Sequence, residues 1–119
     1  MAALTVDNLR DLPAEPGTIR PSSLALDNLQ RVVNAAGDRC PLDGIMATAE
    51  GGAAAIWART YAYADIECKN DGTIHALLMR GRNRIDDWEV TDVREAVERV
   101  KEHLYGATKS QCGGRRSRS

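Results

Sequence analysis

One hairpin decides the fold of this chain, and its sequence over residues 63–79 is Tyr63-Ala64-Asp65-Ile66-Glu67-Cys68-Lys69-Asn70-Asp71-Gly72-Thr73-Ile74-His75-Ala76-Leu77-Leu78-Met79. The Asn70-Asp71 pair suits the centre of a type I turn, with Gly72 in a left-handed bulge. This turn sets a register in which every inward pair is apolar: Cys68 with Ile74, Ile66 with Ala76, and Ala64 with Leu78. Because a slip of one residue would mix the two faces, turn chemistry and hydrophobic pattern predict the same antiparallel hairpin.

A two-residue period extends beyond this hairpin on both sides. The predicted strands are Ala54 to Ala58, Tyr61 to Cys68, Thr73 to Met79 and Ile85 to Val90. In the last of them, Trp88 and Val90 are expected to face inward. Residues 37–53 are rich in Gly, Asp and Pro, and they predict a loop that ends in a turn at Gly51-Gly52.

Two segments precede the predicted strands. Residues 1–20 contain a short helical pattern and are predicted to form an N-terminal arm that is loosely attached to the domain. Apolar residues at helical spacing then predict a helix over residues 22–36. Ser22 or Ser23 caps this helix, and Gly37 ends it.

An amphipathic helix follows the strands. Thr91 or Asp92 caps it, and Gly106 ends it. Residues 107–119 are polar and basic and predict a flexible tail. The sequence therefore predicts a single α+β domain over residues 21–106, with an N-terminal helix, an antiparallel meander of three to four strands and a C-terminal amphipathic helix.

The charge of the chain is unevenly distributed. The net charge is −1, which argues against a protein that binds nucleic acid over its whole surface. Residues 109–119 carry four basic side chains and no acid, which leaves 12 basic and 17 acidic side chains, a net of −5, on the other 108 residues. An acidic body with a basic tail is the pattern to explain.

Cysteine usage and apolar runs indicate the compartment. Cys40, Cys68 and Cys112 are odd in number, widely spaced and without a C-x-x-C pair, which is unlike a secreted disulfide framework. The alternation places Cys68 in the apolar row as a small core residue. No run approaches the roughly 20 apolar residues of a membrane span, and the N-terminus lacks the pattern of a signal peptide. We predict a cytoplasmic protein without membrane association.

The outer face of the predicted sheet is the first candidate site. Besides charged residues, it is predicted to display the side chains of Trp57, Tyr63, Leu77 and Met79. This is more apolar surface than a solvated strand face needs, and such patches mark protein contacts. The alternative is that the helix at 22–36 covers this face while the last helix covers the other.

Acidic residues and a histidine on the same face suggest an acid–base or metal-binding site. Asp65 and Glu67 are about 7 Å apart along one strand, and the register places Glu67 opposite His75, as a base and its orienting carboxylate would be. A solvated strand face and an ordinary cross-strand pair have the same pattern. No nucleophile can be placed beside them, since Cys68 points to the opposite face. The histidines and cysteines lack zinc-type spacing, so no catalytic residue, metal site or cofactor is predicted.

Arginines form the second candidate site. The residues that could meet an anionic partner are Arg80, Arg82, Arg84, Arg115, Arg116 and Arg118. The three tail arginines supply only weak, salt-sensitive affinity for phosphates. Asp86 and Asp87 oppose phosphate approach at the other three, so any nucleic-acid binding is predicted to be weak.

Three motifs carry a resemblance to a family. They are Thr48-Ala49-Glu50-Gly51-Gly52, then Tyr63-Ala64-Asp65-Ile66-Glu67-Cys68-Lys69-Asn70-Asp71-Gly72, then Trp88-Glu89-Val90 before a helix. Over residues 45–104 the chain resembles small α+β proteins of bacteria and their mobile elements, a group with no established activity. The resemblance implies three strands followed by a helix, and it implies no reaction.

These observations favour a small non-enzymatic interaction protein of bacterial or phage origin, either antitoxin-like or an inhibitor of a host defence system. Its partner would be a protein encoded nearby or a second copy of the chain. The first alternative is an accessory nucleic-acid-binding protein that uses the arginines. The second is a small enzyme that uses Glu67 and His75.

Overall fold

The computed structural model of the chain describes residues 6–11, 16–17 and 19–106. Its strands are β1 (Gly44–Ala47), β2 (Gly52–Ala58), β3 (Ala62–Lys69), β4 (Ile74–Arg80) and β5 (Asn83–Glu89), and its helices are α1 (Val6–Asp11), α2 (Ser23–Ala36) and α3 (Val93–Tyr105). Neighbouring strands are antiparallel, and their order in the sheet follows the chain. The α+β prediction is confirmed, but the meander has five strands rather than three to four.

The central hairpin has the predicted register. Cys68 pairs with Ile74, Ile66 with Ala76, and Ala64 with Leu78. The amide of Gly72, at φ +96°, donates to the carbonyl of Lys69 at 3.0 Å, which closes the predicted turn.

The turn also holds the start of α2. The Asn70 side chain accepts a 2.6 Å hydrogen bond from the amide of Ser22 and donates a 2.8 Å bond to the carbonyl of Arg20. Ser22 is the N-cap of α2, as one of the two predicted options, and its hydroxyl accepts from the amide of Ala25. The hairpin and the helix are therefore joined by side-chain hydrogen bonds between residues 48 to 50 positions apart.

Strand β1 lies in the segment that the sequence predicted to be a loop. It has only four residues and pairs with β2 alone, at one edge of the sheet. The turn into β2 ends at Gly52, where an added Cβ would lie 2.5 Å from the carbonyl oxygen of Cys68. Strand pairing therefore requires glycine there. A strand this short carries too little periodicity to be detected without its partner.

Helices α2 and α3 lie side by side on one face of the sheet. α2 packs against β2 and β3, and α3 packs against β3 and β4. Five strands about 4.8 Å apart span about 19 Å, which is twice the roughly 10 Å diameter of one helix, so covering the face takes both. The alternative in which the helix at 22–36 covers the outer face is therefore wrong.

Trp57 lies on the inner face, which corrects its predicted place on the outer face. Its side chain is fully buried, it pairs with Ala64 of the apolar row, and its Nε1 donates a 3.0 Å hydrogen bond to the carbonyl of Cys40. Four alanines on this face, Ala53, Ala55, Ala64 and Ala76, are completely buried. Their small volume leaves room for one large side chain beneath the helices.

Helix α1, which lies within the predicted arm at residues 1–20, packs against the domain more firmly than predicted. Val6 and Leu9 of α1 are buried and belong to the same core as the sheet and the other helices. Thus α1 is not a loose arm. The predicted tail at 107–119 lies outside the described residues. None of the helices within the described ranges is long and apolar enough to cross a membrane.

Candidate functional site

The candidate site is the sheet face opposite the helices, which we call the outer face. Tyr63 and Met79 are cross-strand neighbours there, and Leu77 lies next to Asp65. All three of these apolar or aromatic residues are half-buried, and they occupy the face predicted for them. At the β1 edge, Met46 is 48% exposed. Within the described part of the chain, no helix packs over this face.

A β-bulge decides which residues of β5 reach the outer face. Leu78 pairs with Asp86, but Met79 pairs with Arg84, so Ile85 is the extra residue. The bulge places Arg84 opposite Met79, whereas Asp87 lies opposite Leu77 in the regular part of the ladder. Arg84 and Asp87 therefore share the outer face, although strict alternation along β5 would put them on opposite faces.

The middle of the outer face is a shallow depression of about 460 Å³. Leu77 and Met79 form its apolar lining, and the charged residues around them are the acids Asp65, Glu67 and Asp87 and the bases Arg82 and Arg84. A second depression of about 310 Å³ continues toward β1 and includes Met46 and Tyr63. The face therefore combines an apolar centre with a charged rim in which acids outnumber bases.

Two of these residues form a hydrogen-bonded pair. The Tyr63 hydroxyl donates to Asp65 Oδ2 at 2.9 Å. Burial, together with this pair, raises the pKa of Tyr63 to about 12. Burial also raises the pKa of Asp65, and the negative charge of Glu67 adds to that shift. Burial therefore disfavours the ionised form of the Asp65 carboxyl group.

His75 has a different partner from the one that the catalytic hypothesis requires. Glu67 is opposite His75 in the register, as predicted, but His75 Nε2 lies 3.3 Å from Asp87 Oδ1. Arg84 Nη1 holds the other oxygen of Asp87 at 3.1 Å. The described lining of the depression contains no serine, threonine or cysteine that could act as a nucleophile. Among the residues that the structure describes, no three His, Cys, Asp or Glu side chains are grouped to hold a metal ion.

Basic and acidic side chains lie at opposite ends of the outer face. Arg82 and Arg84 lie at the β4–β5 turn, which we call the basic end. Glu67 and Glu89 flank His75 in one cross-strand row, and Glu50 lies in a depression beside Glu67; these three glutamates are the acidic end. Within residues 19–106, none of the three glutamates forms an ion pair, although Lys69 lies close to Glu50 and Glu67.

The arginines of the second candidate site are only partly brought together. Arg80 donates a 3.2 Å hydrogen bond to the carbonyl of His103, at the end of α3. Arg82 and Arg84 line the outer-face depression, where Arg84 is engaged with Asp87. These three side chains therefore do not form one basic row. Arg115, Arg116 and Arg118 lie outside the described residues.

The two described cysteines are core residues and not reactive groups. Cys40 and Cys68 are buried, and Cys68 lies on the inner face as predicted. Burial raises the pKa of the Cys68 thiol to about 12 and also raises that of Cys40. Neither thiol is available to the outer face.

This burial predicts slow thiol labelling. In a Cys112→Ser variant at pH 8, we expect no fast reaction of the native protein with dithionitrobenzoate, because a pKa near 12 lowers the Cys68 thiolate fraction roughly a thousandfold below that of free cysteine. Unfolding in guanidinium should release two thiols per chain. Rapid stoichiometric labelling of the folded variant would contradict the burial of these residues.

No protein-family model matches the chain, and neither a curated protein nor a solved structure shows significant similarity to it.

Proposed function

We propose that this chain is a small non-enzymatic interaction protein that binds a protein partner through its outer face. One observation carries the proposal: α2 and α3 both pack on the inner face, and no helix among the described residues covers Tyr63, Leu77 and Met79 on the outer face. A half-buried apolar centre with a charged rim has the composition of a protein contact surface.

The face supports this role better than the sheet edges do. Strand β5 forms one edge and carries Arg84, Asp86, Asp87 and Glu89 within seven residues. Charges along an edge strand oppose the addition of another strand. Strand β1 forms the other edge and has only four residues. A partner is therefore expected to bind across the face, with Leu77 near the centre of the contact.

The proposed partner is a protein encoded nearby, as it would be for an antitoxin-like neutraliser or an inhibitor of a host defence system, or a second copy of the chain. The apolar centre of the outer face supports such a protein contact. Nucleic-acid binding has less support, because the outer face carries more acids than bases and Arg84 is paired with Asp87.

Leu77→Asp tests the proposal. Since Leu77 lies on the uncovered face, we expect the variant to stay folded and to lose at least tenfold in affinity for its partner, because a charge replaces an apolar anchor. Circular dichroism checks the fold. Titration against the products of neighbouring genes, together with sedimentation equilibrium for self-association, checks binding.

The matched control is Leu24→Asp, the same change at a position on α2 that is 49% exposed. This variant should bind as the unchanged protein does. A Leu77→Asp variant that is folded and binds fully would remove the outer face from the proposal. A strictly monomeric protein that forms no complex with any genetically linked product would remove the function itself.

A further inference from the structure

The outer face has a charge pattern that matches a segment of the same chain. Its acidic end carries Glu50, Glu67 and Glu89, none of them ion-paired within residues 19–106. Residues 107–119 carry Lys109 and three arginines, Arg115, Arg116 and Arg118, and no acid. Arginine side chains bind carboxylates through paired hydrogen bonds, and apolar neighbours strengthen such contacts by excluding water. The face and this segment are complementary in charge.

We propose that residues 107–119 occupy the outer face of their own chain, with the arginines against the acidic end. This inference deepens the proposed function, on which it rests for its biological role, because the segment would compete with the protein partner for one surface. Charge complementarity, the place where the chain leaves α3 and the length of the segment support it.

The chain leaves α3 at the basic end of the sheet. His103 Nε2 lies 2.7 Å from the carbonyl oxygen of Met79, and the Tyr105 hydroxyl accepts a 2.7 Å hydrogen bond from Arg59. Met79 is near the end of β4, and Arg59 directly follows β2. Gly106 therefore lies beside the end of the sheet that carries Arg82 and Arg84, and the chain has only to pass round that end to reach the outer face.

The distances allow this path. Arg115 is nine positions after Gly106, and an extended chain of nine steps reaches about 30 Å. The row of His75 is four residues along β4 from Met79, or about 13 Å, and passing from one layer to the next adds about 10 Å. The arginines can thus reach the acidic end with chain to spare.

The order of residues in the segment suits the same path. Between Gly106 and Arg115 the segment has one cation, Lys109, and the five residues from Ser110 to Gly114 carry no charge. This uncharged stretch would pass Arg82 and Arg84, which would repel a cation there. The arginines begin one residue later. A tethered segment acts at an effective concentration in the millimolar range, so weak contacts are enough to give substantial occupancy.

A spin label tests the proposal in the full chain. Cys112 lies inside the segment, and the other two cysteines are buried with raised pKa values, so a nitroxide reagent is expected to modify Cys112 selectively. In amide NMR spectra at low salt, we expect the label to broaden the signals of Glu67, His75 and Glu89 and to leave the exposed side of α2 sharp. Because salt screens exposed charges, the broadening should fade at 1 M salt.

Two triple variants complete the experiment. Replacing Arg115, Arg116 and Arg118 by Ser should abolish the outer-face broadening, whereas replacing all three by Lys should retain most of it. Broadening that is equal on both sides of the sheet, or confined to the last turn of α3, would overturn the inference. That result would leave the proposed function standing, since the Leu77→Asp binding test is independent. Conversely, outer-face broadening with unchanged Leu77→Asp binding would support the docked segment and contradict the partner site.

Discussion

Replacing Ile66 by Asp is expected to leave no folded protein at 25 °C. Ile66 is fully buried on the inner face, where it pairs with Ala55 on one side and Ala76 on the other, and it shares the core with Val97 of α3. A carboxylate here would have no cationic partner, and burying an unpaired charge costs several kcal/mol or more. The free energy of unfolding of a domain is about 5–15 kcal/mol, so this single change is expected to remove most or all of it.

The measurement is the far-ultraviolet circular dichroism of the Ile66→Asp variant through a thermal scan, with size-exclusion chromatography as a second readout. Ile66→Val is the matched control, because it keeps the residue apolar and should cost only about 0.5–1.5 kcal/mol. A cooperative thermal transition in the Asp variant near that of the unchanged protein would show that Ile66 does not lie beneath the helices. Ile66→Asp and Leu77→Asp introduce the same charge on opposite faces of one hairpin, and only the first is expected to unfold the protein.

Trp57→Ala is expected to lower the free energy of unfolding by about 3–5 kcal/mol. The indole is fully buried, and its neighbours across the strands and along β2 include Ala55 and Ala64, which are too small to fill the space left behind. The change also removes the hydrogen bond from Trp57 Nε1 to the carbonyl of Cys40, which leaves a buried acceptor without its donor.

Urea denaturation followed by circular dichroism measures this loss as a lower transition midpoint. Trp57→Phe is the control, since it keeps an aromatic ring and removes the donor, and its smaller loss separates the hydrogen bond from the packing. If Trp57→Ala lowers the free energy of unfolding by less than about 1 kcal/mol, the result would be typical of an exposed side chain. It would contradict the burial of Trp57 on the inner face.

Much of the hairpin could be predicted because its information is local. Asn70, Asp71 and Gly72 specify the turn, and the turn specifies the register for seven residues on each side. The caps Ser22 and Asp92 were predictable for the same reason, since each side chain accepts a hydrogen bond from an amide three residues later. Tyr63, Leu77 and Met79 could be placed on the outer face because they share the parity of this register.

Other parts of the candidate site depended on the bulge in β5. The contact between Arg84 and Asp87 requires Ile85 to be an extra residue between Asp86 and Arg84, because strict alternation would put residues 84 and 87 on opposite faces. Strict alternation from the sequence cannot show such an insertion. Glu67 is opposite His75 in the register, as predicted, but the His75 ring contacts Asp87 of β5. Arg80 is bonded to the carbonyl of His103 and lies apart from Arg82 and Arg84.

By itself, the sequence determined the α+β class, the central hairpin and the ends of α2 and α3, because turns, caps and periodicity act over a few residues. Only the tertiary structure decided which face each helix covers. The apolar stripe of α2 requires a surface to bury, but nothing local distinguishes the two sides of the sheet. The decision comes from shape: the alanine-rich inner face lets Trp57 and both helices pack closely, whereas Asp65, Glu67 and Asp87 on the outer face would have to lose their hydration beneath a helix.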